Sequence, residues 1–164
     1  MKAAIVMGSK NDYKVVERAE AILDAFEIEY TTRIISAHRT PSVAEEFSKT
    51  AEEEGIEVII AAAGKAAHLG GVVAANTPLP IIGLPIKSST LDGLDSLLSI
   101  VQMPKGIPVA TVAIDGAENA ALLAVQILSV KYPELREAMR TYKETMEREI
   151  VKADQDFQKE SGRE

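Results

Sequence analysis

The chain has 164 residues, of which 46% are apolar and 26% charged, and it carries a net charge of −7, two histidines and no cysteine. That length suits one domain with a core of its own, and the missing cysteines exclude disulfides, thiolate catalysis and cysteine-held metals. The acidic balance argues against nucleic acid as a partner, because phosphate backbones reward clustered Lys and Arg; a small phosphorylated ligand needs only a local positive site.

Residues 3–7 are a short apolar run ended by Gly8-Ser9, which reads as a strand and is too short for a signal-peptide core. Asp12 is placed to cap the next helix, whose stripe is Val15, Val16, Ala19, Ile22, Leu23 and Phe26. Residues 28–35 read as a second strand. Thr40 as cap and Pro41 in the first turn then open a helix that Gly55 stops. Residues 56–62 form a third strand, nearly all apolar, and 66–75 a small-residue helix. Residues 80–86 are a fourth strand, 94–102 a helix and 107–114 a fifth strand. Residues 119–130 are apolar almost all round, which predicts a buried helix. Pro133 starts a last helix with Leu135, Met139, Tyr142, Met146 and Ile150 on one side.

Strands alternating with helices imply right-handed βαβ units and a parallel sheet. Continuous apolar strands imply a sheet covered on both faces. The expectation is therefore an α/β protein: a single three-layer, doubly wound parallel sheet, flavodoxin-like in strand order. One catalytic domain over residues 1–153 includes the last helix, and residues 154–164 form a polar tail that is expected to fray. The stripe of the last helix fits packing on its own domain or on a neighbouring subunit. No apolar run approaches the roughly 20 residues of a membrane helix, so the expected setting is the cytoplasm, away from membranes.

Ligands of open parallel sheets bind beyond the carboxyl ends of the strands. Gly8-Ser9-Lys10-Asn11-Asp12 follows the first strand, Ser36-Ala37-His38-Arg39-Thr40-Pro41 the second, and Ala63-Gly64-Lys65-Ala66-Ala67-His68-Leu69-Gly70-Gly71 the third. Both histidines of the chain fall in these loops, and this coincidence marks them as the candidate site. A Gly-Ser turn before a helix offers free N–H groups and the positive end of a helix dipole to phosphate, although an ordinary strand–helix turn looks the same. Asp12 would repel a phosphate and suits sugar hydroxyls better. Arg39 has a donor fork for phosphate or carboxylate, or forms a surface ion pair. His38 gives and takes protons near neutral pH. The small residues of the third loop let a flat ligand lie on the backbone, which tight helix–sheet packing would also require.

Together, Gly8-Ser9-x-x-Asp12, Ser36-Ala37-His38-Arg39-Thr40-Pro41 and Ala63-Gly64-x-Ala66-Ala67-His68-Leu69 resemble the N5-carboxyaminoimidazole ribonucleotide mutase family, the mutase branch of the phosphoribosylaminoimidazole carboxylases. Further matches are Leu94-Asp95-Ser96-Leu97-Leu98-Ser99-Ile100-Val101-Gln102-Met103-Pro104, Pro108-Val109-Ala110-Thr111-Val112-Ala113-Ile114 and Glu118-Asn119-Ala120-Ala121. The likeness covers residues 3–130, in order. It implies an octamer with C-terminal helices exchanged between subunits. It also implies purine biosynthesis without metal, ATP or bound cofactor, and a functional pairing with the ATP-dependent synthetase that makes the substrate. The substrate implied is a ribonucleotide whose carboxylate moves from N5 to C4 of an imidazole.

By the same resemblance, His38 is the catalytic histidine, and Ser9, Asp12 and Arg39 bind ribose and phosphate. Ser36 and Ala37 line the substrate, while Gly64, Ala66, His68 and Leu69 cover the base and carboxylate. The chain departs from the family pattern at Lys65, where Gly is common, and at Gly70, where Pro is common. Asn11 replaces a frequent Ser and Lys105 a Gly. Lys65 is expected to point to solvent. The nearest rival reading is a carboxylase using free CO2. A rival of another class is a non-enzymatic flavodoxin-like binding domain. A receiver would need acids after strands one and three, and a flavin carrier would need aromatic walls, whereas only 4% of this chain is aromatic.

Overall fold

A computed structural model of the chain describes residues 1–162. Five parallel strands form one sheet in the order β2-β1-β3-β4-β5. They are β1 (Lys2–Met7), β2 (Glu29–Ile34), β3 (Val58–Gly64), β4 (Ile81–Ile86) and β5 (Ala110–Thr111). The helices are α1 (Tyr13–Ala25), α2 (Pro41–Thr50), α3 (Leu69–Ala74), α4 (Leu94–Val101), α5 (Ala117–Leu128) and α6 (Glu134–Glu160).

Alternation along the strands splits the core in two. Ala3, Ile5 and Met7 of β1, with Ile60 and Ala62 of β3, face α1 and α5. Ala4, Val6, Ile59 and Ala61 face the other way, onto Phe47 of α2, Leu69 and Val73 of α3 and Ile100 of α4. This is the doubly wound, three-layer arrangement the sequence predicts. The strand order reverses direction between β1 and β3, so a crevice opens there at the carboxyl ends of the strands.

Several boundaries differ from the sequence reading. The fifth strand has two residues rather than eight. Pro85 of β4 has no N–H to give, so the β4–β5 ladder ends after Gly83 pairs with Thr111. Beyond it only single bonds persist, from the Val112 N–H to the Gly83 carbonyl at 3.1 Å and from the Asp115 N–H to the Pro85 carbonyl at 2.8 Å. The helix expected over 66–75 shortens to α3, because residues 65–68 form two tight turns instead. Asp12 and Thr40 occupy the cap positions of α1 and α2, but neither side chain makes the capping bond. Ser9 accepts from the Asn11 N–H ahead of α1, and Thr40 Oγ1 is taken up by the Ser36 N–H and carbonyl, both at 3.0 Å.

The end of the chain is the largest difference. The polar stretch expected to fray from residue 154 continues α6 to Glu160, which is rich in strong helix formers. Leu135 and Met139 bury against α5, and Tyr142 meets Phe26 with ring centroids 5.7 Å apart. Past that point the stripe has no cover: Ile150 is 72% exposed and Phe157 67%. Glu57 ties down the start of this region. It accepts from Lys131 Nζ at 2.7 Å and from the Tyr132 hydroxyl at 2.8 Å. Burial works to raise the Glu57 carboxyl, but these two hydrogen bonds and the charges of Lys131 and the N-terminus outweigh it and hold the group below its ordinary value.

Candidate active site

A cleft of about 680 Å³ lies over the carboxyl ends of β1, β2, β3 and β4, a size suited to a small organic ligand. All ten residues selected from the sequence line it: Ser9 and Asp12 after β1; Ser36, Ala37, His38 and Arg39 after β2; Gly64, Ala66, His68 and Leu69 at the end of β3 and beyond. The sheet explains the convergence. Met7 pairs with Ile34 on one side and Ala62 on the other, so the three loops leave the sheet at one level.

The two histidines touch. His38 Nε2 and His68 Nδ1 are 2.9 Å apart, with the rings edge to face at a centroid distance of 4.9 Å. A contact of that length needs one N–H and one lone pair, so one ring donates and the other accepts. The pair holds a proton between two loops at an exposed surface of the cleft. This contact is not visible in the sequence, where thirty residues separate the rings.

Among the described residues Arg39 forms no ion pair. Its Nη2 donates to the Gly8 carbonyl at 2.9 Å, and its Nε donates to Ser36 Oγ at 3.3 Å. Its backbone N–H also reaches Ser36 Oγ, at 3.2 Å. The guanidinium thus bridges the β1 and β2 loops and fixes a positive charge beside Ser9 and the start of α1, where an anion would meet the helix dipole.

Asp12 is half-buried. Burial pushes its carboxyl above the ordinary value of 3.8, partly offset by a backbone hydrogen bond at Ser9. Protonated Asp12 therefore favours the fold below pH 3.8, an advantage lost as the pH rises through the raised value. Asp12→Asn is expected to melt at a higher temperature than the parent at neutral pH, with the gain vanishing in acid, and to bind ribose-bearing ligands more weakly. Melting curves across pH, paired with ligand titrations, check both signs.

The departures from the family pattern are readable. Gly70 is buried in α3, and a Cβ there would lie 3.6 Å from Val109 Cγ1, an ordinary contact. Lys65 takes φ +55, a conformation glycine adopts freely and a lysine adopts at a cost of roughly 1 kcal/mol. Lys65 is exposed but also lines the cleft, so the expectation that it simply points to solvent does not hold.

The sequence reading missed a fourth wall. Ile86 at the end of β4 and Lys87, Ser88 and Ser89 after it also line the cleft. Ser88 Oγ is held 2.9 Å from both Asp95 carboxylate oxygens, and Ser96 Oγ donates to the Ile86 carbonyl at 2.9 Å. The signal was present, since the rule that directs attention to strand ends applies equally to β4. That loop carries no histidine or arginine to mark it.

Among the described residues no group of three or more His, Cys, Asp or Glu side chains is placed to hold a metal ion, and no helix is long and apolar enough to cross a membrane. Fold and site together define a doubly wound α/β protein with a small-molecule cleft at its topological switch point and an imidazole pair inside it.

The comparisons with known proteins agree. Residues 2–149 match the family model described as AIR carboxylase. The chain is 62% identical over 147 residues to the N5-carboxyaminoimidazole ribonucleotide mutase of Pyrococcus abyssi, covering 90% of this chain and 84% of that protein. It is 54% identical over 147 residues to the phosphoribosylaminoimidazole carboxylase of Schizosaccharomyces pombe, covering 90% of this chain but 26% of that longer protein. The crystal structure of Treponema denticola PurE superposes with a TM-score of 0.84 at 32% identity, covering 94% of this chain and 97% of that one. The chain belongs to the AIR carboxylase family.

Proposed function

We propose that this protein is an N5-carboxyaminoimidazole ribonucleotide mutase of purine biosynthesis, converting its substrate to 4-carboxy-5-aminoimidazole ribonucleotide. The single observation that carries the reading is the His38–His68 contact, 2.9 Å long, inside a cleft with a fixed arginine at one end. Relatives bearing the mutase name match over most of their length, whereas the carboxylase-named relative is matched over 26% of its own. That favours the mutase over a carboxylase using free CO2.

Ser9, Asp12 and Arg39 take the ribose and phosphate in this reading. Ser36 and Ala37 line the base, and Gly64, Ala66, His68 and Leu69 cover the base and carboxylate. The substrate is a carbamate. His38 delivers a proton to N5 as the N5–carboxyl bond breaks, releasing CO2 inside the cleft. The electron-rich C4 attacks that CO2, and the proton on C4 returns to the histidine as aromaticity is restored. One proton enters and one leaves, so a single group serves as acid and then base. His68 orients the His38 ring through their shared hydrogen bond. Holding CO2 next to C4 supplies the proximity advantage.

The catalytic unit spans residues 1–153, with 154–164 as a polar extension. Two exposed apolar faces support assembly of several copies, the octamer of the family reading. One is Leu91, Leu94, Leu98 and Val101 on and before α4. The other is Met146, Ile150 and Phe157 on α6, placed to pack on a neighbouring subunit. The protein works in the cytoplasm alongside the synthetase that makes its substrate.

Carboxyl-labelled substrate, turned over in unlabelled bicarbonate, tests the function. Label retained in the product supports transfer within the cleft. Label lost to the pool, with product still formed, means a carboxylase.

A further inference from the structure

We propose that Lys65 recognises the carboxylate carried by the nucleotide, and so sets the preference of the cleft for carboxylated over uncarboxylated ligand. The inference rests on the functional reading above and goes beyond it, since the family pattern commonly has glycine here.

Three side-chain cations line the cleft, and two of them are engaged. Arg39 is held by the Gly8 carbonyl and Ser36 Oγ, and Lys87 Nζ stands 3.2 Å from Asp92. Among the described residues the Lys65 ammonium has no ion pair. Lys65 is also exposed. The turns of this loop account for the left-handed backbone, but not for a lysine there, and an unpaired charge in a ligand cleft is placed to meet an anionic ligand.

Its position selects the carboxylate over the phosphate. Lys65 opens the loop that ends in His68. Two successive turns compact that loop, from the Ala67 N–H to the Lys65 carbonyl and from the His68 N–H to the Ala66 carbonyl, both 2.9 Å. The Lys65 side chain therefore starts from the loop that carries His68, and under the proposal its ammonium sits at the histidine end of the cleft, where the functional reading puts the reacting carboxyl. Arg39, tied to the β1 loop, serves the other end. A lysine also suits a charge that moves. Its flexible stem can follow the carboxylate from N5 to C4, which a rigid guanidinium fork would not. The carboxylate is present before and after the transfer but not in the neutral CO2 between, so the pairing stabilises substrate and product more than the transition state; its loss raises KM without lowering kcat.

The test uses the full chain and two ligands, the C4-carboxylated nucleotide and aminoimidazole ribonucleotide. Lys65→Gly, which relaxes the backbone, is expected to weaken the carboxylated nucleotide roughly three- to tenfold and leave the other unchanged. KM for the substrate rises by the same factor and kcat does not fall. Lys65→Arg, which keeps the charge, restores most of the affinity. Lys65→Asn, also at ease at positive φ, gives the same pattern as Lys65→Gly. Equal losses for both ligands would mean a phosphate contact and overturn the proposal, as would no loss at all or a difference between Gly and Asn. If the unmodified chain binds neither nucleotide, the functional reading has failed and this inference falls with it.

Discussion

His38→Asn is expected to fold and bind nucleotide as the parent does, while turnover falls roughly 10²–10⁴-fold. The proposed cycle uses the ring twice, once to protonate N5 and once to take the C4 proton. An amide of similar size stays beside His68 and can accept or donate a hydrogen bond, but it cannot carry a proton through the cycle. His68→Asn is expected to lose less, because it removes the group that orients His38 and spares the one that transfers the proton. Steady-state kinetics with a nucleotide titration on each variant separates binding from chemistry. Near-normal turnover in His38→Asn would remove this residue from the mechanism.

Gly83→Ala is expected to destabilise the protein by about 1–3 kcal/mol, a large share of the stability of an ordinary domain. Gly83 sits in the middle of β4 on the face that meets α4. A Cβ there would stand 2.3 Å from Ile100 Cγ2 and 2.9 Å from Val109 Cγ1. Both neighbours belong to packed structure, and Ile100 is buried. Relief therefore requires α4 to move off the sheet. That movement reaches the cleft, because Asp95 and Ser96 of α4 hold Ser88 and the Ile86 carbonyl in its fourth wall. The variant should unfold at lower denaturant and also show a raised KM. Chemical denaturation at matched protein concentration is the check. An unchanged midpoint would mean that α4 has more freedom than its contacts indicate.

The parts of the fold that were legible in the sequence are those where one local rule decides. Val58 to Ala62 are buried without exception, so their continuous apolar run could only be a central strand. Tertiary context decided the parts that were not. The fifth strand fails for want of a donor at Pro85, a residue on a different strand. Asp12 and Thr40 look like helix caps, yet Thr40 is drawn into the turn that presents His38 and Arg39. The polar end of α6 reads as a tail because its apolar residues are sparse, but its helix propensity is enough to extend it to Glu160.

Within the site, every selected residue reached the cleft because the loops leave neighbouring strands at one level. The His38–His68 hydrogen bond, the bridging role of Arg39 and the wall after β4 depend on how the loops face one another, and no spacing along the chain encodes that. The left-handed backbone at Lys65 is a middle case. In the sequence Lys65 reads only as a charge, and the positive φ shows why glycine suits that position.

The most direct measurement offers the protein two substrates without ATP: N5-carboxyaminoimidazole ribonucleotide alone, and aminoimidazole ribonucleotide with a low concentration of bicarbonate. The predicted result is efficient formation of the C4-carboxylated product from the first and little from the second. Efficient product from the second, or product from neither, would contradict the account.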